Sequence, residues 1–348
     1  MRKFDYSFLK NAMLPAVLIE YTNGIAEIKA LQETRKKSYK DIFTKLESIA
    51  KVQSVKGSNA IEGIITTDKR IEEIVNNSSA PLNHNEAEIA GYRDALNLIH
   101  AGHETIDVRE QDILRLHDIL LQYTNYPVRG RYKTNDNVIL EVDSSGNRRI
   151  RFSPTLATET PKAMEQVVLA YMDARSDSSI NQLLLIPCFI LDFLCIHPFA
   201  DGNGRISRLL SLLLLYKNGF DAGKYISFEE QINKHKDVYY ESLKQSSNDW
   251  DAGNNDYIPF VQNFIMTLLL CYKELDNRFA LLNEKKVNKK QRVEATVLNS
   301  LMPISKGEIA YILPDISATT IEAVLSSMVK SGSIKKIGSN RNARYLKV

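Results

Sequence analysis

The chain of 348 residues has little cysteine, no long apolar run and little net charge. Its three cysteines, Cys188, Cys195 and Cys271, sit in apolar segments without the paired spacing of a zinc site. They read as buried thiols kept in a reducing compartment. Nowhere does an uninterrupted apolar stretch reach the roughly 18 residues of a membrane span. The richest stretch, Leu183 to Ile196, is shorter and contains Asp192. The N-terminal MRKFDYSFLKNAMLP lacks a convincing signal-peptide core. These absences exclude a disulfide scaffold and a membrane span, and predict a soluble, cytoplasmic protein of two or three domains.

The net charge of +3 hides an asymmetry. Residues 285–348 carry 12 Lys/Arg against 4 Asp/Glu, a net of +8, so everything before them totals −5. The change of sign near Leu282 marks a domain boundary, with NEKKVNKK as a charged hinge. This divides the chain into an N-terminal helical region 1–100, a central domain 101–284 and a C-terminal domain 285–348.

Periodicity makes most of the chain helical. Helical patterns cover Asn23 to Ile74, with Thr67 or Asp68 opening a helix over Lys69 to Val75. Asn76 to Pro81 is a loop. Further helices follow over Asn85 to Ile99 and around Ile113, Leu116 and Leu120. No acid or nucleophile pattern accompanies His117, which therefore reads as structural. The span 131–154 breaks the helical pattern. Val138 to Val142 and Arg149 to Phe152 flank Asp-Ser-Ser-Gly-Asn, the signature of a β-hairpin. Ile180 to Ile196 and Ile206 to Lys217 are two apolar helices, with Pro187 the one irregularity in the first.

Between those helices lies His197-Pro-Phe-Ala-Asp-Gly-Asn-Gly-Arg-Ile-Ser-Arg208. A loop emptying onto a helix N-terminus offers free N–H groups and the positive end of a dipole, which suits phosphate. Gly202 and Gly204 allow backbone angles closed to other residues and a close approach of phosphate oxygens. Asn203 can donate a side-chain hydrogen bond without charge. Arg205 and Arg208 are permanent, forked cations. Asp201 is a hard carboxylate suited to Mg²⁺ held between protein and phosphates. His197 titrates near neutrality and can deprotonate an attacking hydroxyl.

This stretch resembles the Fic (filamentation induced by cAMP) signature, H-x-F-x-[DE]-G-N-G-R-x-x-R, at every specified position. The resemblance implies a mainly α fold, a Fic-type helical bundle with a β-hairpin flap, and transfer of AMP from ATP to a Ser, Thr or Tyr hydroxyl of a target protein. It implies His197 as general base and Asp201 as Mg²⁺ ligand. Phe199 would anchor the loop, and Gly202, Asn203 and Gly204 would form an anion hole. Arg205 would sit on the phosphates and Arg208 on the γ-phosphate. The related death-on-curing kinases depart from the pattern within the glycine segment, which is intact here. Upstream, Ser58-Asn-Ala-Ile-Glu62-Gly63 reads by itself as a helix ending at Gly63, and resembles the Fic inhibitory pattern [ST]-x-x-x-E-[GN]. That resemblance pairs Glu62 with Arg208 and makes it an autoinhibitor, or the residue that aligns water in a deAMPylase. The hairpin corresponds to the flap that holds a target segment by strand addition. Tyr239 and Tyr240 stand where Fic sequences carry a Tyr pair near the base. One ring could carry adenine, or one packs in the core.

In the C-terminal domain Val293, Val297 and Leu301 form a stripe, Ser305-Lys-Gly-Glu308 a capping box, and Ser317 a second cap before Ile321, Val324, Leu325 and Met328. Gly332 ends that helix, and two short strands flank a basic turn. This order predicts a winged helix-turn-helix whose Lys335, Lys336, Arg341 and Arg344 touch DNA phosphates, or which contacts protein instead. The expected partners are thus ATP, Mg²⁺, a target hydroxyl or the chain itself, DNA or protein at 285–348, and a second copy in a homodimer. A DNA-binding regulator with a ligand-sensing Fic domain is the alternative from a different class.

Overall fold

A computed structural model describes residues 2–142, 148–283, 288–298, 300, 303–313, 316–339 and 343–348. The chain separates into two compact units, Met1–Tyr272 and Lys273–Val348.

The first unit is built on helices. A 3₁₀ turn at Ser7–Asn11 precedes α1 (Ala16–Ser38), α2 (Lys40–Ile61), α3 (Asp68–Asn77), α4 (His84–Gly102) and α5 (Glu110–Leu120). A hairpin follows, β1 (Ile139–Val142) with β2 (Arg148–Phe152). Then come α6 (Thr160–Arg175), α7 (Gln182–Ile196), α8 (Asn203–Lys217), α9 (Phe228–Lys234), α10 (Lys236–Ser247) and α11 (Ile258–Asn283), whose residues from Lys273 onward belong to the second unit. Local chemistry sets several of these boundaries. Thr67 caps α3 by accepting from the Arg70 N–H, and Asn83 caps α4 by accepting from the Glu86 N–H. The hairpin strands pair antiparallel, with Leu140 opposite Ile150 and Glu141 opposite Arg149. Its turn, 143–147, lies outside the described residues.

At the centre runs α7, buried from Leu183 through Ile196 despite Pro187. The one charge in this run, Asp192, is fully buried and is satisfied from three directions. It accepts from the Trp250 indole N–H at 2.7 Å, the Tyr6 hydroxyl at 2.8 Å and the Tyr257 hydroxyl at 3.0 Å. Arg2 stands 3.9 Å away. Burial, only partly offset by Arg2 and these donors, pushes the Asp192 carboxyl above its ordinary range. The N-terminal residues thus pack as core, pinned to α7 by a carboxylate that would be costly if left bare. Cys188, Cys195 and Cys271 are free, buried thiols. No described helix is long and apolar enough to cross a membrane.

The second unit comprises α12 (Lys289–Leu298), β3 (Ile304–Ser305), α13 (Lys306–Ile312), α14 (Ala318–Lys330), β4 (Ile334–Ile337) and β5 (Arg344–Lys347). Its sheet has the order β3-β5-β4. The Ser305 capping box forms with both of its bonds, and Ser317 caps α14. Val293, Val297, Ile309, Ile321, Leu325 and Ile334 share one core. The strand β3 is absent from the sequence reading because so short a strand carries no measurable alternation. Leu301, Arg341 and positions 284–287 of the NEKKVNKK hinge lie outside the described residues.

Candidate functional site

The site lies in the first unit, where α7 hands over to α8. His197 ends α7 in the left-handed conformation, with φ of 52°. Its Nδ1 lies 3.2 Å from the Leu194 carbonyl. A carbonyl can only accept, so Nδ1 carries the proton and Nε2 presents a bare lone pair. Burial pushes the His197 pKa down to about 4, against the opposing pull of the Leu194 carbonyl. Lys133 lowers it further and Glu62 raises it. The imidazole is therefore neutral and able to take a proton at physiological pH.

The next residues tie themselves together. Asn203 accepts from the Phe199 N–H at 2.9 Å and donates to the Phe199 carbonyl at 2.7 Å, so its amide is occupied inside the loop. This differs from the sequence expectation that its side chain faces a ligand, and leaves the main-chain N–H for that purpose. Gly202 has φ of 83°, a left-handed turn that L side chains resist. Helix α8 starts at Asn203, ahead of the apolar pattern that begins at Ile206, and has no side-chain cap at its N-terminus. Gly204 is therefore helical, and its missing side chain serves another purpose. A β-carbon there would collide with the Glu62 carboxylate.

Asp201 is half exposed. Its Oδ1 accepts from the Gly202 N–H at 2.6 Å and its Oδ2 lies 3.3 Å from the Arg205 guanidinium. Among the described residues no cluster of three or more His, Cys, Asp or Glu could hold a metal. One exposed carboxylate beside an anion seat still fits Mg²⁺, which is bound through one or two carboxylates together with substrate phosphates. Arg205 is nearly fully buried. The resemblance puts it on phosphates; its guanidinium meets Glu88 of α4 and Asp201.

Arg208 is buried and bonded to the end of α2. It donates from Nε to Ser58 Oγ at 2.8 Å, and from Nη2 to the Ser58 carbonyl at 2.9 Å and Glu62 Oε1 at 2.8 Å. Burial penalises the Glu62 carboxylate, but Arg208 outweighs that cost and holds the Glu62 pKa below its ordinary value. Gly63, with φ of 78°, turns the chain out of α2. Lys236 donates to the Ile61 carbonyl at 2.8 Å and so ties α10 to the last turn of α2. The two tyrosines part company. Tyr239 is buried against Phe260, while Tyr240 is 37% exposed and stands edge-on to it at 5.4 Å.

The structure also brings in residues that sequence reasoning missed. His117 of α5 stacks on Phe199 with ring centroids 3.8 Å apart and contacts the Asp201 carbonyl at 3.1 Å. Lys133 donates through its main chain to Pro198 and through Nζ to the Ile196 carbonyl. Glu88 holds Arg205. Each partner lies far along the chain from the motif residue it supports, at a separation where spacing carries no signal.

The model of the Fic/DOC family matches residues 107–215, which hold His117, the hairpin and the whole 197–208 motif. A Fido domain-containing protein of Dictyostelium discoideum is 30% identical over 121 residues, covering 35% of this chain and 78% of that protein. The chain belongs to the Fic/DOC family. The protein adenylyltransferase Fic of Nematostella vectensis is 26% identical to this Fic chain over 222 residues, which is 60% of this chain and 45% of the relative. The chain thus spans less than half of that relative's length. A Fic family protein of Desulfovibrio desulfuricans shares the fold across 97% of both chains, with a TM-score of 0.61 and 20% identity.

Proposed function

We propose that this Fic chain transfers AMP from ATP to a hydroxyl side chain of a target protein, and that Glu62 restrains it. The observation that carries this reading is the pairing of a neutral His197, its Nε2 bare, with an uncapped α8 N-terminus where the Glu62 carboxylate now sits. An anion seat that attracts a carboxylate also attracts phosphate.

In the proposed reaction the target hydroxyl gives its proton to His197 Nε2 as its oxygen attacks the α-phosphorus. The bond from that phosphorus to the bridging oxygen breaks, and pyrophosphate leaves with the electron pair. Main-chain N–H groups of the first turn of α8 and the Arg208 guanidinium hold phosphate oxygens. Asp201 is the residue that would hold Mg²⁺, which supplies neutralisation of phosphate charge when bound. Tyr240, the more exposed of the two tyrosines, is the ring suited to adenine. The exposed Leu140 and Ile150 flank an open hairpin ready to pair with an extended target. While Glu62 occupies Arg208, the γ-phosphate has neither its cation nor its space.

The C-terminal unit has the element order of a winged helix. The exposed positions of α14 are Ala318, Thr319, Glu322, Ala323, Ser326, Ser327, Val329 and Lys330. A face with one cation supports protein recruitment over reading of a DNA groove.

The test is incubation of native and Glu62→Gly protein with α-labelled ATP. Glu62→Gly should label itself or a target faster, and adding His197→Ala should abolish the label. Label from γ-labelled ATP would indicate phosphoryl transfer instead. Loss of AMP release from a modified protein in Glu62→Gly would indicate a deAMPylase.

A further inference from the structure

His117 satisfies every polar atom of a ring that the proposed chemistry never touches. Its Nδ1 lies 2.9 Å from the Gly130 main-chain N–H. That group can only donate, so Nδ1 accepts, and the ring proton resides on Nε2. Nε2 therefore donates to the Asp201 carbonyl at 3.1 Å. One face of the ring lies flat on Phe199, 5° from parallel.

The carbonyl that His117 holds belongs to the peptide joining Asp201 to Gly202. The N–H of the same peptide donates to Asp201 Oδ1 at 2.6 Å. A peptide is planar, so fixing its oxygen fixes its N–H. The N–H in turn fixes the direction of the Asp201 carboxylate. A phenyl ring could stack on Phe199 equally well, but it would leave the carbonyl without this donor. The cost of burying the imidazole is offset by its two bonds, one from Gly130 and one to the Asp201 carbonyl, and only the second reaches the motif.

We propose that His117 is a positioning residue for Asp201: it locks the Asp201–Gly202 peptide and with it the direction of the carboxylate that would hold Mg²⁺. This deepens the functional reading above and rests on it. It treats the two ring nitrogens as separable. His117→Gln brings an amide N–H near the Nε2 position and keeps the bond to Asp201. His117→Asn reaches only the Nδ1 position and keeps the bond to Gly130.

The experiment is calorimetric titration of ATP into full-length Glu62→Gly protein, once with Mg²⁺ and once with EDTA. His117→Asn should lose about tenfold in affinity with Mg²⁺ and keep its affinity in EDTA, while His117→Gln stays within about twofold of the parent in both. The proposal is overturned if the two variants behave alike, including if both fail to fold, or if affinity in EDTA falls in step with that in Mg²⁺. A parent that takes up ATP in neither buffer overturns the nucleotide reading itself, and the parent titration shows which of the two has failed.

Discussion

Glu62 and Gly204 share one space: the carboxylate of the first fills the volume that a β-carbon on the second would need. The contact joins the end of α2 to the first turn of α8, two segments far apart in sequence. It turns a glycine that looks like part of a phosphate loop into a seat for a side chain of the same protein.

Replacing Gly204 by Ala should therefore act twice. In the native protein it pushes Glu62 off Arg208, at a cost of about 1–3 kcal/mol from a less well paired buried guanidinium. In Glu62→Gly protein it should weaken ATP binding about tenfold, equivalent to about 1.4 kcal/mol. Thermal melts and calorimetry check the two arms. Unchanged ATP affinity in the second would remove α8 as the phosphate seat.

Glu62→Gly leaves Arg208 with Ser58 as its remaining described side-chain partner. The protein should lose about 1–3 kcal/mol of stability while gaining activity. Saturating ATP should return part of the lost stability, because ligand binds only the folded state. A variant as stable as its parent and no more active would show that the pair restrains nothing.

Glu88→Gln removes the charge opposite the buried Arg205 but keeps an acceptor. The expected loss is about 1–3 kcal/mol, less than for Ala, which would leave the cation bare. Because Arg205 also touches Asp201, the variant should lower the transfer rate of Glu62→Gly protein. Denaturant melts and single-turnover labelling measure both. An unaltered rate confines Glu88 to stability.

The pH profile follows from His197. Its pKa is held at about 4 against an ordinary 6.5, so the base stays deprotonated well into acid. The acid limb of kcat/KM should lie below about pH 5, not near 6.5. Removing Glu62, which raises this pKa, moves the limb lower still. Stability has a definite sign. Between 4 and 6.5 the unfolded chain binds the proton that folded His197 refuses, so this contribution is lost as pH falls through that window. A limb centred near 6.5 would rule out this environment for the base.

Asp192→Asn tests the buried hub of α7. An amide must turn an NH₂ toward Trp250, which can only donate, or toward a tyrosine hydroxyl, which must then reverse from donor to acceptor. The mismatch should cost about 1–3 kcal/mol, seen as a lower melting temperature with the nucleotide site intact. Equal stability would mean that the carboxyl is already protonated and acts as a donor itself.

The sequence made the helices, the hairpin and the 197–208 motif legible, because each is encoded by neighbours close together along the chain. The Ser305 capping box and the Thr67 cap are the same kind of local chemistry. What it could not show is what meets that motif from elsewhere. Nothing in the periodicity of α5 distinguishes a packed His117 from one that grips Asp201, and nothing near Glu88 says that Arg205 will arrive. The Fic resemblance puts Arg205 on phosphates, and only the crossing of α4 and α8 gives it a carboxylate. Gly204 likewise reads as loop until the helix is seen to start at Asn203.

The ring that Asn203 closes on both main-chain groups of Phe199 means that the turn before α8 holds its shape through bonds of its own. A nucleotide bound as proposed would meet a turn already formed. The entropy of ordering that turn was lost when the chain folded, and the affinity of the encounter does not bear it again.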